Sequence, residues 1–220
     1  MRQRWSATIR FKKKETPMPR PLGSRNEGFE VKRQELVEAL TEHALNADIR
    51  RPSLREFAQS CGVSEPTLRH YFEDRRGTVL AILEEIARRG QAIWDAVATP
   101  SPGGEAALDA YFMISSLGIQ NGGFVRAHAF GIIEGLADLE IGKAYVRLIL
   151  EPSLQSLMTK LKLSSDRAMP EAELRAVALA AFSPLLLVSL HQDLLGGKDS
   201  AVIDPAALMD ALKAHLSPAL

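Results

Sequence analysis

From about residue 31 onward, apolar residues recur every three or four positions, the spacing of helices that bury one face. No Asn-Gly pair sits between strictly alternating segments, so nothing marks a hairpin. The pattern predicts an all-α chain. Leu36, Val37, Leu40 and Ala44 form one face of a first helix over 31–47. In "RPSLREFAQSC", Ser53 is placed to cap a second helix. Glu56, three residues on, completes a capping box, and Leu54, Phe57, Ala58 and Cys61 follow at i, i+3, i+4 and i+7. Gly62 supplies the left-handed backbone that a sharp corner needs, Val63 plugs the corner, and Ser64 caps a short third helix with Pro66 in its first turn. Leu68 and Phe72 anchor that helix inward, which turns Pro66, Thr67, Arg69, His70 and Tyr71 to the outside or the rim. A long fourth helix over 75–98 carries Val79, Ile82, Leu83, Ile86, Ile93 and Val97 on one stripe. "TPSPGG" at 99–104 breaks it, and further helices are predicted at 105–120, 124–138, 140–162, 171–195 and 205–216.

Capped helix, glycine corner and short exposed helix make a helix-turn-helix, whose second helix reads the DNA major groove. The predicted nucleic-acid contacts are Ser53, Ser64, Glu65, Pro66, Thr67, Arg69, His70, Tyr71 and Arg75. Over 54–83, "LREFAQSCGVSEPTLRHYFEDRRGTVLAIL" resembles the TetR family of bacterial one-component transcriptional regulators in "FAQSCGVS", "TL", the aromatic pair and the following basic residue. Phe72 matches a nearly constant family Phe, and Arg75 stands where a phosphate-contacting Lys usually opens the fourth helix. Three positions depart from the family: Pro66 replaces a common Gly, Arg69 a phosphate-contacting Tyr, and Tyr71 a His. The resemblance implies a helix-turn-helix DNA-binding domain over 31–78; the stretch before it, basic and without an apolar core, reads as a disordered arm over 1–30. A C-terminal ligand-binding and dimerisation domain over 79–220 would include the linking fourth helix.

Charge and cysteine usage narrow the class. The formal net charge is zero, yet residues 1–100 hold eighteen Lys and Arg against fourteen Asp and Glu, and residues 101–220 hold nine against thirteen. A basic front suits a polyanion. One cysteine, Cys61, excludes an intramolecular disulfide framework and fits a reducing, cytoplasmic setting. Its slot on the second helix reads as an inert small hydrophobe. The five histidines lack metal-ligand spacing, and no nucleophile elbow, P-loop or dinucleotide fingerprint occurs, so neither metal, cofactor nor enzyme activity is predicted. Glu134 and Asp138 read as solvated faces. The uncharged run 176–190 is shorter than a bilayer span and contains Pro184, which makes it a buried helix rather than a membrane segment.

Tyr111, Phe112, Met113, Phe130, Ile133 and Met158 are the candidates to line a pocket for a largely apolar effector. The helix over 171–195 has more apolar surface than one side can bury. With "DPAALMDALKAHL" it resembles the two helices through which family members dimerise, which nominates Leu179, Phe182, Leu186, Leu190, Leu208 and Leu212 as an interface. The sequence thus reads as a homodimeric repressor on a palindromic operator, released by a small molecule. The alternative is a helical ligand-binding or protein-interaction module whose head no longer binds DNA.

Overall fold

The computed structural model describes residues 24–46 and 51–220; most of the expected arm therefore lies outside the described residues. Among the described residues there is no strand, and ten α-helices follow one another: α1 (Ser24–Asn46), α2 (Leu54–Ser60), α3 (Glu65–Phe72), α4 (Arg75–Ala98), α5 (Gly104–Gln120), α6 (Gly123–Ala137), α7 (Leu139–Tyr145), α8 (Glu151–Ser164), α9 (Glu171–Asp193) and α10 (Pro205–Leu216). The fold class is all-α, as the periodicity requires.

Two boundaries differ from the sequence reading for identifiable reasons. Helix α1 begins seven residues earlier than position 31. Gly28 interrupts the helical pattern at a cost of about 1 kcal/mol, but Phe29 gains a partner in exchange, stacking on Tyr71 of α3 at 4.7 Å between ring centroids. The segment expected as one helix over 140–162 is α7 and α8 joined by a π-helical turn, Val146–Leu150. Pro152, in the first turn of α8, lacks an N–H and crowds the preceding carbonyls, so the chain widens by one residue per turn just before it.

Two apolar cores form. The first holds the head together: Leu36, Val37 and Leu40 of α1 meet Phe57 of α2, Leu68 and Phe72 of α3, and Val79, Ile82, Leu83 and Ile86 of α4. It does not stop there, because Phe130 of α6, Ile141 and Tyr145 of α7 and Ile149 of the π turn belong to the same cluster. The second joins Val97 of α4 to α5, α8, α9 and α10 through Leu108, Tyr111, Leu157, Leu161, Leu174, Ala178, Leu185 and Met209. Helix α4 therefore runs from one core to the other. The break after it is pinned by Lys160, itself buried, whose Nζ donates to the Thr99 carbonyl (2.5 Å) and to Ser101 Oγ (3.0 Å).

Helix α9 is only half covered. It is long and apolar enough to cross a bilayer by length and composition, with a mean hydropathy of 1.7 over its best window, and 39% of that window is buried. Leu174, Val177, Ala178, Ala181, Phe182 and Leu185 face inward, whereas Leu179 and Leu187 are 40% and 66% exposed. The expectation of a buried helix over 176–190 holds for one face and fails for the other.

Candidate functional site

The head is built as the capping signals dictate. Ser53 Oγ accepts the Glu56 N–H at 3.2 Å while the Glu56 carboxylate accepts the Ser53 N–H at 2.8 Å, so the capping box is closed. Gly62 takes φ +64° at the corner. Ser64 Oγ then accepts the Thr67 N–H at 3.2 Å and meets the Thr67 hydroxyl at 2.8 Å. Leu68 and Phe72 are buried, with the Arg33 guanidinium 5.3 Å from the Phe72 ring centroid. An eight-residue helix is too short to be stable alone, and these anchors fix it in place.

The outer face of α3 divides into free and committed groups. Pro66, Arg69 and His70 are exposed, and Glu65 and Thr67 half-buried. Arg69 forms a 2.7 Å pair with Glu65 one turn earlier, an exposed contact that exchanges readily for another anion. Tyr71 is half-buried: its ring stacks on Phe29, and His70 meets the edge of the same ring. Of the two places expected for it, outside or rim, Tyr71 takes the rim and is in part a packing residue.

Arg75 is committed still further. Its guanidinium grips Glu134 of α6 with both nitrogens (2.9 and 2.5 Å), and its Nε donates to the Pro52 carbonyl at 2.8 Å. Arg51 approaches the same carboxylate at 3.4 Å. Glu134 is wholly inaccessible to water, which corrects its reading as a solvated acid; a buried carboxylate requires countercharge, and the first residue of α4 supplies it. Arg76 in turn reaches Asp138, the cap of α7, at 2.8 Å. The start of α4 is thereby fastened to the end of α6.

A cavity of about 290 Å³ opens between the two cores, walled by α4, α5, α6 and α9. Its rings are Trp94, Tyr111, Phe124, His128 and Phe182, with Ile86, Ile93, Val97 and Ile114 between them. Phe124, His128 and Phe182 contact one another edge to face, with centroids 4.6 to 5.9 Å apart. His128 is oriented by the Tyr145 hydroxyl at 2.8 Å, and Tyr145 fits because residue 131 is glycine: a Cβ there would lie 2.2 Å from the tyrosine ring. Burial holds His128 neutral, with its pKa pushed down to about 4. Trp94 donates its indole N–H to Ser153 Oγ at 3.0 Å.

Of the six expected pocket residues, only Tyr111 lines this cavity. Phe112 and Met113 border a groove beneath α10 instead, Met113 being 63% exposed. Met158 borders a cleft shared with Met169 and Leu174, Phe130 is in the first core, and Ile133 is half-buried away from the cavity. The six residues are thus not brought together in one cavity, because helical spacing gives a face without saying which neighbour that face meets. Phe182, expected at a subunit interface, is instead 3% exposed and forms a cavity wall. Leu186, Leu190, Leu208 and Leu212 are half-buried. Burial raises the pKa of Cys61, in keeping with an unreactive thiol. Among the described residues no His, Cys, Asp and Glu cluster has the makings of a metal site.

No protein-family sequence model and no curated protein sequence matches the chain. Solved structures do. A protein from Mesorhizobium loti assigned to the TetR-family transcriptional regulators superposes with a TM-score of 0.64 at 17% identity, over 86% of this chain and 94% of that one. A TetR-family regulator from Streptomyces coelicolor gives 0.58 at 18% identity over 85% and 79%. The transcriptional regulator FadR from Bacillus subtilis, in complex with stearoyl-CoA, gives 0.57 at 14% identity over 85% and 98%. The fold is the one these TetR-family regulators share.

Proposed function

We propose that the chain is a DNA-binding transcriptional regulator of the TetR type, a homodimer whose operator affinity is set by a small molecule in the cavity between its two cores. The observation that carries this reading is α3: a helix held by two buried side chains, with Pro66, Arg69 and His70 exposed, on a head whose core continues into the wall of an apolar cavity. Ser53, Ser64, Glu65, Pro66, Thr67, Arg69 and His70 form the nucleic-acid face, with Tyr71 at its rim; Arg75 serves as a strut. Regulators of the same fold, one with an acyl-CoA bound, support a ligand-controlled role.

The uncovered face of α9, with Leu179, Ser183 and Leu187 exposed and Leu186 and Leu190 half-buried, is the surface for a second copy. Two heads joined there match two half-sites one helical turn apart, about 34–36 Å. A ligand that wedges α6 and α4 apart then changes the spacing of the heads. Repression is the expected outcome, because a dimer parked on a palindrome blocks the polymerase and its release restores access.

Selection of bound fragments from the genome of the source organism tests the reading. The expected result is a palindromic motif bound with an affinity that falls steeply with salt. Recovery of no motif, or binding insensitive to salt, would leave only a helical module with an inactive head.

A further inference from the structure

The cavity's lining has a chemical bias that fixes the class of its ligand. Among its lining residues Arg89 alone carries a full charge; no carboxylate faces the space, and His128 is neutral. Arg89 stands on α4 in the cavity lining and is not saturated by the described residues. Its Nε donates to Glu85 (2.7 Å) and Nη1 to Glu42 (2.5 Å), while its Nη2 donates to no described residue. Glu85, 3% exposed, keeps a bidentate partner in Arg88, with both bonds at 2.7 Å, so it does not depend on Arg89 for countercharge. Glu42 is 60% exposed, and its pair with Arg89 is the weak, water-competed kind.

We infer that the cavity takes an apolar monocarboxylic acid whose carboxylate binds Arg89 in place of Glu42, while its body lies among Trp94, Phe124, Phe182 and their neighbours. This rests on the reading of the cavity as the effector site and names the effector's chemistry. A carboxylate meets the planar guanidinium with two parallel charge-assisted bonds, better than a lone exposed glutamate does. A cationic ligand would meet Arg89 in a lining that offers it no carboxylate. At about 30 Å³ per water, 290 Å³ has room for roughly ten heavy atoms, the size of a medium-chain or bicyclic acid.

The same exchange has a limited consequence for the head. Glu42 belongs to α1, and its bond to Arg89 ties α1 to α4 on the cavity side. Helix α1 also carries Phe29, on which the Tyr71 ring of α3 rests. An acid that displaces Glu42 removes one polar tie between α1 and α4 while their shared apolar core stays in place, so any effect on the seat of α3 through this route is small.

Decanoic acid and 2-naphthoic acid, each paired with its primary amide, test this by calorimetry on the full chain and by release of bound operator. The expected result is that at least one acid binds ten-fold or more tighter than its amide and releases DNA. Arg89→Met should bring acid and amide to parity. Glu42→Gln, which removes the competitor and keeps the fold, should tighten the acid several-fold and leave the amide unchanged; this variant decides the matter if Arg89→Met does not fold. Parity in the unaltered protein overturns the acid assignment and leaves the cavity as a site for neutral ligands, and a preference that survives Arg89→Met overturns the assignment of the carboxylate to Arg89. Failure of all four compounds to bind overturns it as well, and if Phe182→Trp, which fills the cavity, releases no DNA either, the effector-site reading falls with it.

Discussion

At the scale of single residues, the outer face of α3 separates exposed side chains from packed ones. Arg69 is exposed and touches only Glu65, so Arg69→Ala should alter stability by less than about 0.5 kcal/mol. If its guanidinium meets a phosphate, the variant also lowers the salt slope of operator binding by about one unit, read from affinities across a salt series. Tyr71→Ala differs because the ring is stacked on Phe29: a loss of about 1–3 kcal/mol in unfolding stability is expected along with weaker DNA binding. His128 gives a separate signature in pH. Its folded pKa of about 4 lies below the unfolded value of about 6.5, so the unfolded chain binds the proton first as pH falls. The contribution is complete above about pH 6.5, is lost as pH falls from there to about 4, and amounts to about 3 kcal/mol. His128→Phe, which keeps an aromatic ring in the wall, should flatten the stability profile across that window; an unchanged slope in denaturant titrations at pH 7, 6, 5 and 4 would assign the loss to other groups.

At the scale of elements, α6 links the cavity to the head. Its first turns place Phe124 and His128 in the cavity wall, and its last turn buries Glu134 against Arg75 and Arg51. Glu134→Gln leaves the Arg75 guanidinium, only 27% exposed, without its countercharge, and a cost of about 3 kcal/mol is expected in unfolding stability. The paired change Arg75→Met with Glu134→Met should recover most of that stability, yet leave operator release less responsive to ligand, since the strut no longer transmits displacement of α6. A double variant that responds normally would move the coupling to the α1–α4 contacts. Such a strut was not legible in the sequence, where Glu134 is one acid among many and its partner lies 59 positions away. What the sequence does show is local: the capping box at Ser53, the corner at Gly62, the anchors Leu68 and Phe72, and the bounds of α4 are short-range signals that the structure reproduces. Cavity walls and interfaces depend on which helix lies opposite, and one helical stripe carries no information about its neighbour. Phe182 illustrates the point, since its period fits an exposed face and an inner wall equally well until α6 is placed against it.

At the scale of the whole molecule, the half-covered helix α9 offers the surface on which a second copy would sit. A charge placed on its uncovered face opposes burial at a subunit contact by several kcal/mol, on the order of the association energy of a modest interface. Leu187→Glu, at a position 66% exposed in the single subunit, should not disturb the fold of one chain, and sedimentation should show monomers with reduced operator affinity. A persistent dimer would place the contact elsewhere. If the dimer is the species that binds DNA, the effector and the operator are coupled through the same two-state change, and that coupling must be reciprocal: whatever factor the ligand takes from operator affinity, the operator takes from ligand affinity. A coupling of about 1–3 kcal/mol, roughly 5–150-fold, is the usual range. The strict test measures both affinities in the presence and absence of the other partner. Equal factors identify one linked equilibrium between cavity and α3. A ligand that stabilises the protein yet leaves operator affinity untouched would show that the cavity binds without controlling the head, and would restrict the Arg89 site to binding alone.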